Sequence, residues 1–439
     1  TTGSNHTAVG KDALLVSTAA GYDTAIGDSV LKANTTGNYN TGVGASALAA
    51  NTTTSNHTAV GYAALSSNTT GSSNTAVGKD SMRANTTGTR NTALGHASLE
   101  INTTGDDNVA LGDYALYNNT TANNNVAIGK DAMLANTTGT ENVAVGYTSL
   151  DANTTGSYNT AVGTDSMSAN TTGQENVSMG WNSLDANTTG NYNVAIGASA
   201  LGVNTTAASN TAVGYGSLTA NTTGTTNVAV GSTAMAANTT ADNNTGIGAA
   251  SMNGNTTGTR NTAVGSDSLK VNTTGNDNTA VGKGALTANT TASNNTAVGK
   301  NALAANTTGA NNTAVGKSAL DANTTGASNT VLGADALSAD TQGSRSVAIG
   351  TSALEVQNFT TATNTYNVAV GFNAGAAIST GTLNTAVGGL SLDATTTGSY
   401  NTAVGYSAGG AITTGESNVC IGYNAGDAIT TGGANTGLG

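Results

Sequence analysis

Proline is absent from this sequence, cysteine occurs once, aromatic residues make up 4% and charged residues only 8%. Each shortage excludes something. Large apolar side chains are too scarce for several thick globular cores, although 439 residues would ordinarily make more than one domain. The charge is equally too low for an ordinary disordered tail. Cys420 alone cannot build a disulfide framework. The 12 Lys and Arg are scattered, which leaves no patch to neutralise phosphates and argues against nucleic acid as a partner. The net charge of −12 is likewise spread out, without an acidic block. No apolar run is long enough to span a bilayer, and neither a signal peptide nor a lipidation signal is recognisable. No membrane insertion is expected of this segment. The chain begins and ends inside a repeat, which reads as a slice of something longer.

What the sequence does have is glycine, 59 of them, in strict register. The glycine that closes each Asn-Thr-Ala-Val-Gly-like motif falls at Gly10, Gly27, Gly44 and onward to Gly350, 21 glycines at a spacing of 17. The next anchor, Gly371, comes four positions late, and Gly388, Gly405, Gly422 and Gly439 restore the spacing of 17. A single four-residue insertion therefore lies between Val356 and Tyr366. Three segments follow: regular coils over 1–355, the insertion over 356–366, and variant Ala-Gly coils over 367–439.

Residues 74–90, NTAVGKDSMRANTTGTR, represent the unit. Val, Ile, Leu or Met always precedes the anchor, and Thr or Val sits two residues before that, with a small residue between. Period-two alternation predicts a strand. Leu or Met four residues after the anchor predicts either a second short strand or part of a turn, and the Asn-Thr-Thr-Gly that follows is turn chemistry. The unit is too short for a helix pair. It suits one flattened coil of a parallel β-solenoid, an all-β fold in which each coil buries its apolar side only against its neighbours. The 25 intervals between anchors, at ~4.8 Å each, predict a rod of roughly 120 Å. The asparagine four before each anchor (Asn74, Asn91, Asn108) predicts a ladder of amide hydrogen bonds along the stack. The small residue of the strand faces one side and the Val or Ile the other. Whether the small side lines a narrow coil interior or approaches a neighbouring chain is open at this point.

The pattern NTAVG-x-x-AL-x-ANTTG resembles the repeats of phage and virus tail-fibre proteins, and is similar, more distantly, to the head repeats of trimeric autotransporter adhesins. Asn142–Gly146 (NVAVG) and Asn193–Gly197 (NVAIG) carry the adhesin likeness. GFNAGAAISTG at Gly371–Gly381 and GYNAGDAITTG at Gly422–Gly432 carry the tail-fibre likeness. The resemblance implies a left-handed parallel β-roll, three chains packed side by side, and a part in surface attachment. It places the chain outside the cell, at a cell surface or on a virion appendage.

Candidate sites are sparse. His6, His57 and His96 are the only histidines, and the coils between His6 and His57 lack one at their shared phase, so no metal site is expected. Asp12, Asp80, Asp131, Asp165 and Asp267 follow the anchor by two and read as solvated turn residues rather than calcium ligands. Serine and threonine abound, but no His or Lys base accompanies them in pattern. The expectation is a chain that is not an enzyme and carries no cofactor. Asn-Thr-Thr forms a formal N-glycosylation sequon in 18 consecutive repeats, at Asn34, Asn51, Asn68, Asn85, Asn102, Asn119, Asn136, Asn153, Asn170, Asn187, Asn204, Asn221, Asn238, Asn255, Asn272, Asn289, Asn306 and Asn323. The competing reading is that these residues serve turn geometry and hydrogen-bonded ladders. Aromatics directly after the anchor, Tyr62, Tyr147, Trp181, Tyr215, Phe372, Tyr406 and Tyr423, are candidate surface contacts, with covering of the neighbouring turn preferred over sugar stacking. A second aromatic set, Tyr22, Tyr39, Tyr158, Tyr192, Tyr366 and Tyr400, sits five before the anchor.

The function expected from these observations is a passive extracellular fibre or adhesin shaft. Its partners are further copies of itself and, at the surface, glycans or receptors. The alternative is a protein that binds ice or glycan surfaces through Thr and Tyr ladders. Two further expectations concern the insertion: a protruding loop, and a thinner core beyond it, because Gly375, Gly409 and Gly426 replace the turn Leu.

Overall fold

Every coil carries one three-residue strand, and consecutive strands pair in parallel. This is how the repeat appears in a computed structural model, which describes residues 3–439. The chain divides into two units, Thr1–Gly216 and Ser217–Gly439. The first holds 13 such strands, from Thr7–Val9 to Thr211–Val213. In the second they run from Val228–Val230 to Thr436–Leu438, with one additional two-residue pair. Register holds residue by residue: Thr7 faces Thr24, Ala8 faces Ala25 and Val9 faces Ile26. No helix occurs among the described residues. The chain is thus a parallel β-solenoid in which each coil is one sequence repeat.

The middle strand residue points inward. Ala127, Ala144 and Ala161 are fully buried, whereas the Val or Thr on either side is half-buried or exposed. The small side of the strand therefore lines a narrow interior, which closes the alternative that it meets a neighbouring chain. The anchor glycine turns the corner with φ near +135°, and nothing larger fits there: a Cβ on Gly129 would stand 2.3 Å from the carbonyl oxygen of Gly146 in the next coil.

After the corner the chain enters a turn, not a second strand. Asp131 (φ 55°) and Met133 (φ 54°) both adopt the left-handed region, and the same pair of positions does so in coil after coil. A left-handed non-glycine residue costs roughly 1–2 kcal/mol. Burying a Leu or Met side chain is worth roughly 1.5–3 kcal/mol, and Met133 also donates its N–H to the Ser149 carbonyl at 2.9 Å. Burial and hydrogen bonding together outweigh the strain, so Leu31, Leu48, Leu65, Met82 and the later Leu and Met at this phase are fully buried.

Two asparagine columns complete the interior. Asn91 donates its backbone N–H to Asn74 Oδ1 at 2.9 Å, and its Nδ2 to the Gly105 carbonyl at 2.8 Å. In the second column Asn85 Nδ2 donates to Asn68 Oδ1 and to the Gly88 carbonyl, each at 3.0 Å. Buried amides satisfied in this way contribute to stability, whereas unsatisfied ones would each cost about 1–3 kcal/mol.

The insertion leaves the stack as a small loop. Phe359 folds beneath it (8% exposed), Thr360, Thr361 and Ala362 form its exposed tip, and Thr363–Asn364 pairs in parallel with Gly343–Ser344. Register resumes at once, with Val347 opposite Val368. The later coils do not lose their core. Ile378 and Ile412 occupy the phase of the sequon asparagine and are fully buried, filling the volume that the absent Leu vacates. A Cβ on Gly375 would meet Ile378 Cδ1 at 2.9 Å and Leu354 Cδ2 at 3.0 Å. An apolar side chain has moved from one position of the coil to another.

Candidate functional site

Inside this frame, most residues singled out from the sequence are structural. The 18 sequon asparagines are fully buried, from Asn34 to Asn323. Their burial favours the reading in which they serve turn geometry and hydrogen-bonded ladders over that of glycan acceptors. N-linked attachment consumes a hydrogen of Nδ2, and Asn119 Nδ2, for example, already commits both, to Asn102 Oδ1 at 2.8 Å and to the Ala122 carbonyl at 3.1 Å. The first threonine after most of these asparagines is also engaged: Thr86 Oγ1 donates to the Thr103 carbonyl at 3.0 Å and Thr103 Oγ1 to that of Thr120 at 2.9 Å. Only the second, such as Thr87 or Thr104, is exposed.

Histidine at the ladder phase is structural too. His57 is 1% exposed and replaces an asparagine of the first column. Its Nδ1 accepts the Asn74 N–H at 3.3 Å, while Nε2 lies 3.1 Å from Thr54 Oγ1 and 3.3 Å from Asn68 Nδ2. Burial pushes the imidazole down to about 4. His6 lies 3.7 Å from Asp23, which holds the same phase one coil on. Among the described residues no group of three or more His, Cys, Asp or Glu is placed to hold a metal ion. Asp80 and Asp131 sit on left-handed turns beside Lys79 (3.4 Å) and Lys130 (3.3 Å). Cys420 is buried at the strand's inward position, and burial raises its thiol pKa.

The outward surfaces are where a partner would act. Along the strand face, the residues flanking the buried Ala alternate between Thr or Val and Val, Ile, Leu or Met, and no strand places a charge there. Several of these side chains are substantially exposed, among them Met179 (45%) and Leu332 (50%). The aromatics after the anchor stand on the adjoining turn face. They range from Tyr147 at 50% to Tyr423 at 71% exposed, with Tyr62, Trp181, Tyr215, Phe372 and Tyr406 between. Half or more of each ring is open, and the rest covers neighbouring coils, as Tyr406 does at Gly389. Where two fall in successive coils they stack on one another, as Tyr406 and Tyr423 do at 5.9 Å and, in the other aromatic set, Tyr22 and Tyr39 at 5.2 Å.

One cluster escaped the sequence reading. Tyr114 and Tyr117 belong to neither aromatic set; they lie two and five residues after Gly112 and are the only aromatics at those two phases. Their rings meet edge-on at 5.4 Å, and His96 abuts Tyr114 edge-on at 5.1 Å. With Asn118, Asp131 and Leu134 they line a shallow groove of about 400 Å³. The available signal was that two bulky rings three residues apart on one turn interrupt a rank otherwise made of Ser, Asp, Ala and similar residues.

No protein-family model matches this sequence, and no curated protein matches it.

Proposed function

We propose that this chain is a passive structural segment, a fibre or adhesin shaft displayed outside the cell or on a virion, that packs side by side with further copies of itself. The observation that carries this reading is the outward strand face. Thirteen strands per unit, at ~4.8 Å spacing and about 10 Å across, make roughly 600 Å² of largely aliphatic, uncharged surface in each unit. That matches the largest apolar patch an ordinary monomer shows, and such patches mark interaction sites. A copy of the same chain offers ranks at the same spacing, so side chains interdigitate coil by coil without a register conflict. The likeness to tail-fibre and adhesin repeats supports three chains. The face that meets the neighbour is the aliphatic one, since the small side of the strand is internal. The reading assigns the chain no catalytic role and no cofactor.

Sedimentation of the whole chain tests it. The expected mass is about three times the 42.4 kDa chain, and Ile128→Lys with Val145→Lys should dissociate the assembly while the far-ultraviolet spectrum stays unchanged. A folded monomer at micromolar concentration would remove the proposal.

A second reading, binding to ice, draws on the same geometry. The strand face is flat, regular and methyl-rich, and Thr75, Thr92 and their equivalents share it with the aliphatic rank. Thermal hysteresis in solutions of the purified chain, abolished by the same lysine substitutions, would favour this reading over the shaft.

A further inference from the structure

We propose that the groove between Tyr114 and Tyr117 binds a single pyranose ring of a neutral saccharide. The inference stands apart from the shaft reading, because it rests on a place where the turn face departs from its repeat. The two rings stand at 65° to each other with centroids 5.4 Å apart, so they form a corner rather than a flat stack. One ring can take the apolar C–H face of a sugar while the other closes its edge. Aromatic surface alone would suit any apolar ligand, and the polar groups at the rim decide the class. Among the described residues the Asn118 side-chain amide has no partner, so it offers both a donor and an acceptor. Asp131, on the facing wall, keeps lone pairs free for a hydroxyl while it holds Lys130 at 3.3 Å.

An anionic ligand fits less well. The two cations around the groove already have opposites: Lys130 with Asp131, and Arg83 with Glu100. No unpaired cation remains for a phosphate or carboxylate. A free amide and carboxylate oxygens beside an aromatic corner are the complement of a ring that is apolar on its face and hydroxylated at its edge. The groove is open and shallow, which predicts weak binding by one ring and strengthening when several chains present it together.

The test is titration of the whole chain with the methyl glycosides of neutral hexoses, followed by saturation-transfer NMR. At least one glycoside should saturate at about millimolar concentration, the range expected of one small ligand in an open site. Tyr114→Ala, Tyr117→Ala and Asn118→Ala should each weaken it, the tyrosine variants by about tenfold, whereas Tyr117→Phe should retain most of the binding. Tyr192→Ala, on a different rank, should leave it unchanged. The proposal is overturned if no neutral glycoside saturates, if both alanine variants at the tyrosines bind as the parent does, or if Tyr192→Ala loses as much as they do. It is equally overturned if tetramethylammonium binds the groove and the glycosides do not.

Discussion

An asparagine in the inner columns works as a spacer with two hydrogen-bonding ends, and a residue that replaces it must offer the same pattern. His57 does so only while its ring is neutral: Nδ1 has to accept the Asn74 N–H. Its folded value of about 4 lies below the usual 6.5. The unfolded chain therefore binds a proton that the folded chain refuses between these two values, and stability falls as pH drops through that window. The full loss is roughly 3 kcal/mol once the pH is below 4. His57→Asn restores the amide, so its unfolding midpoint should fall less between pH 7.5 and pH 4 than that of the parent, by an amount of that order. Asp151 shifts the other way, raised to about 6 by burial. Its contribution is present at low pH and fades as pH rises through 6, but it is common to both chains and cancels in the comparison. Equal acid sensitivity in urea melts of the two proteins would show that the imidazole is not responsible.

At the scale of the coil, the later variants show how a core is conserved while its residues change place. Gly375 carries φ 61°, in the region that Leu or Met occupies at this phase elsewhere, so the backbone accepts a side chain there. What forbids one is Ile378. Gly375→Leu should cost about 1–3 kcal/mol through overpacking, and Ile378→Ala about 2–4 kcal/mol through the cavity it leaves. Combined, Gly375→Leu with Ile378→Ala should lose much less than the sum, with a coupling of about 1–3 kcal/mol. Additive costs in a double-mutant cycle would sink this account. The same coil shows what the sequence discloses and what it hides. Alternation around Ala127 announces a strand, and the recurrence of Gly129 sets its register, because both depend only on spacing. Which side of the strand turns inward is not written in an alternation, since either face can be the small one. Nor does any local preference announce Met133 at φ 54°, because the favourable term is a hydrogen bond to Ser149 in the following coil. The sequon alone could not decide between a glycan acceptor and a ladder for the same reason: the motif names a turn, and the ladder is made with the neighbouring coil. Tyr114 and Tyr117 went unnoticed because attention to recurring phases passes over residues that occur once.

On the scale of a whole unit, phase matters more than length. Each coil meets only its neighbours, so stability is approximately a sum over interfaces between coils. Removing 164–180, a full period, joins Gly163 to Trp181 and leaves every remaining residue in its own rank. Deleting Ser166 alone, a fully buried residue between the left-handed Asp165 and Met167, throws the rest of its turn out of phase. The chain that lacks the full period should keep its parallel-strand spectrum and most of its melting temperature, whereas the chain that lacks only Ser166 should melt markedly lower. The reverse order in a thermal melt would mean that coils are not interchangeable units.

The sequon column also has an electrical sense. From Asn51 to Asn204 in the first unit, each amide points its N–H toward the preceding coil and its oxygen toward the following one, as in Asn102 to Asn85 and Asn204 to Asn187. Dipoles aligned head to tail add, as they do in a helix. The end of the column that bears N–H groups is met by an anion: Asn34 Nδ2 donates to Asp23 Oδ2 at 3.0 Å. In the second unit the column runs to Asn323, whose Oδ1 is buried without a partner. The next residue at that phase is Asp340, whose carboxylate is already occupied as an acceptor by Gly343, Phe359 and Gln357. A carboxylate meets the N–H end of the first unit's column with attraction, whereas in the second unit one follows the oxygen end with repulsion, so each column is a polar object with two unlike ends.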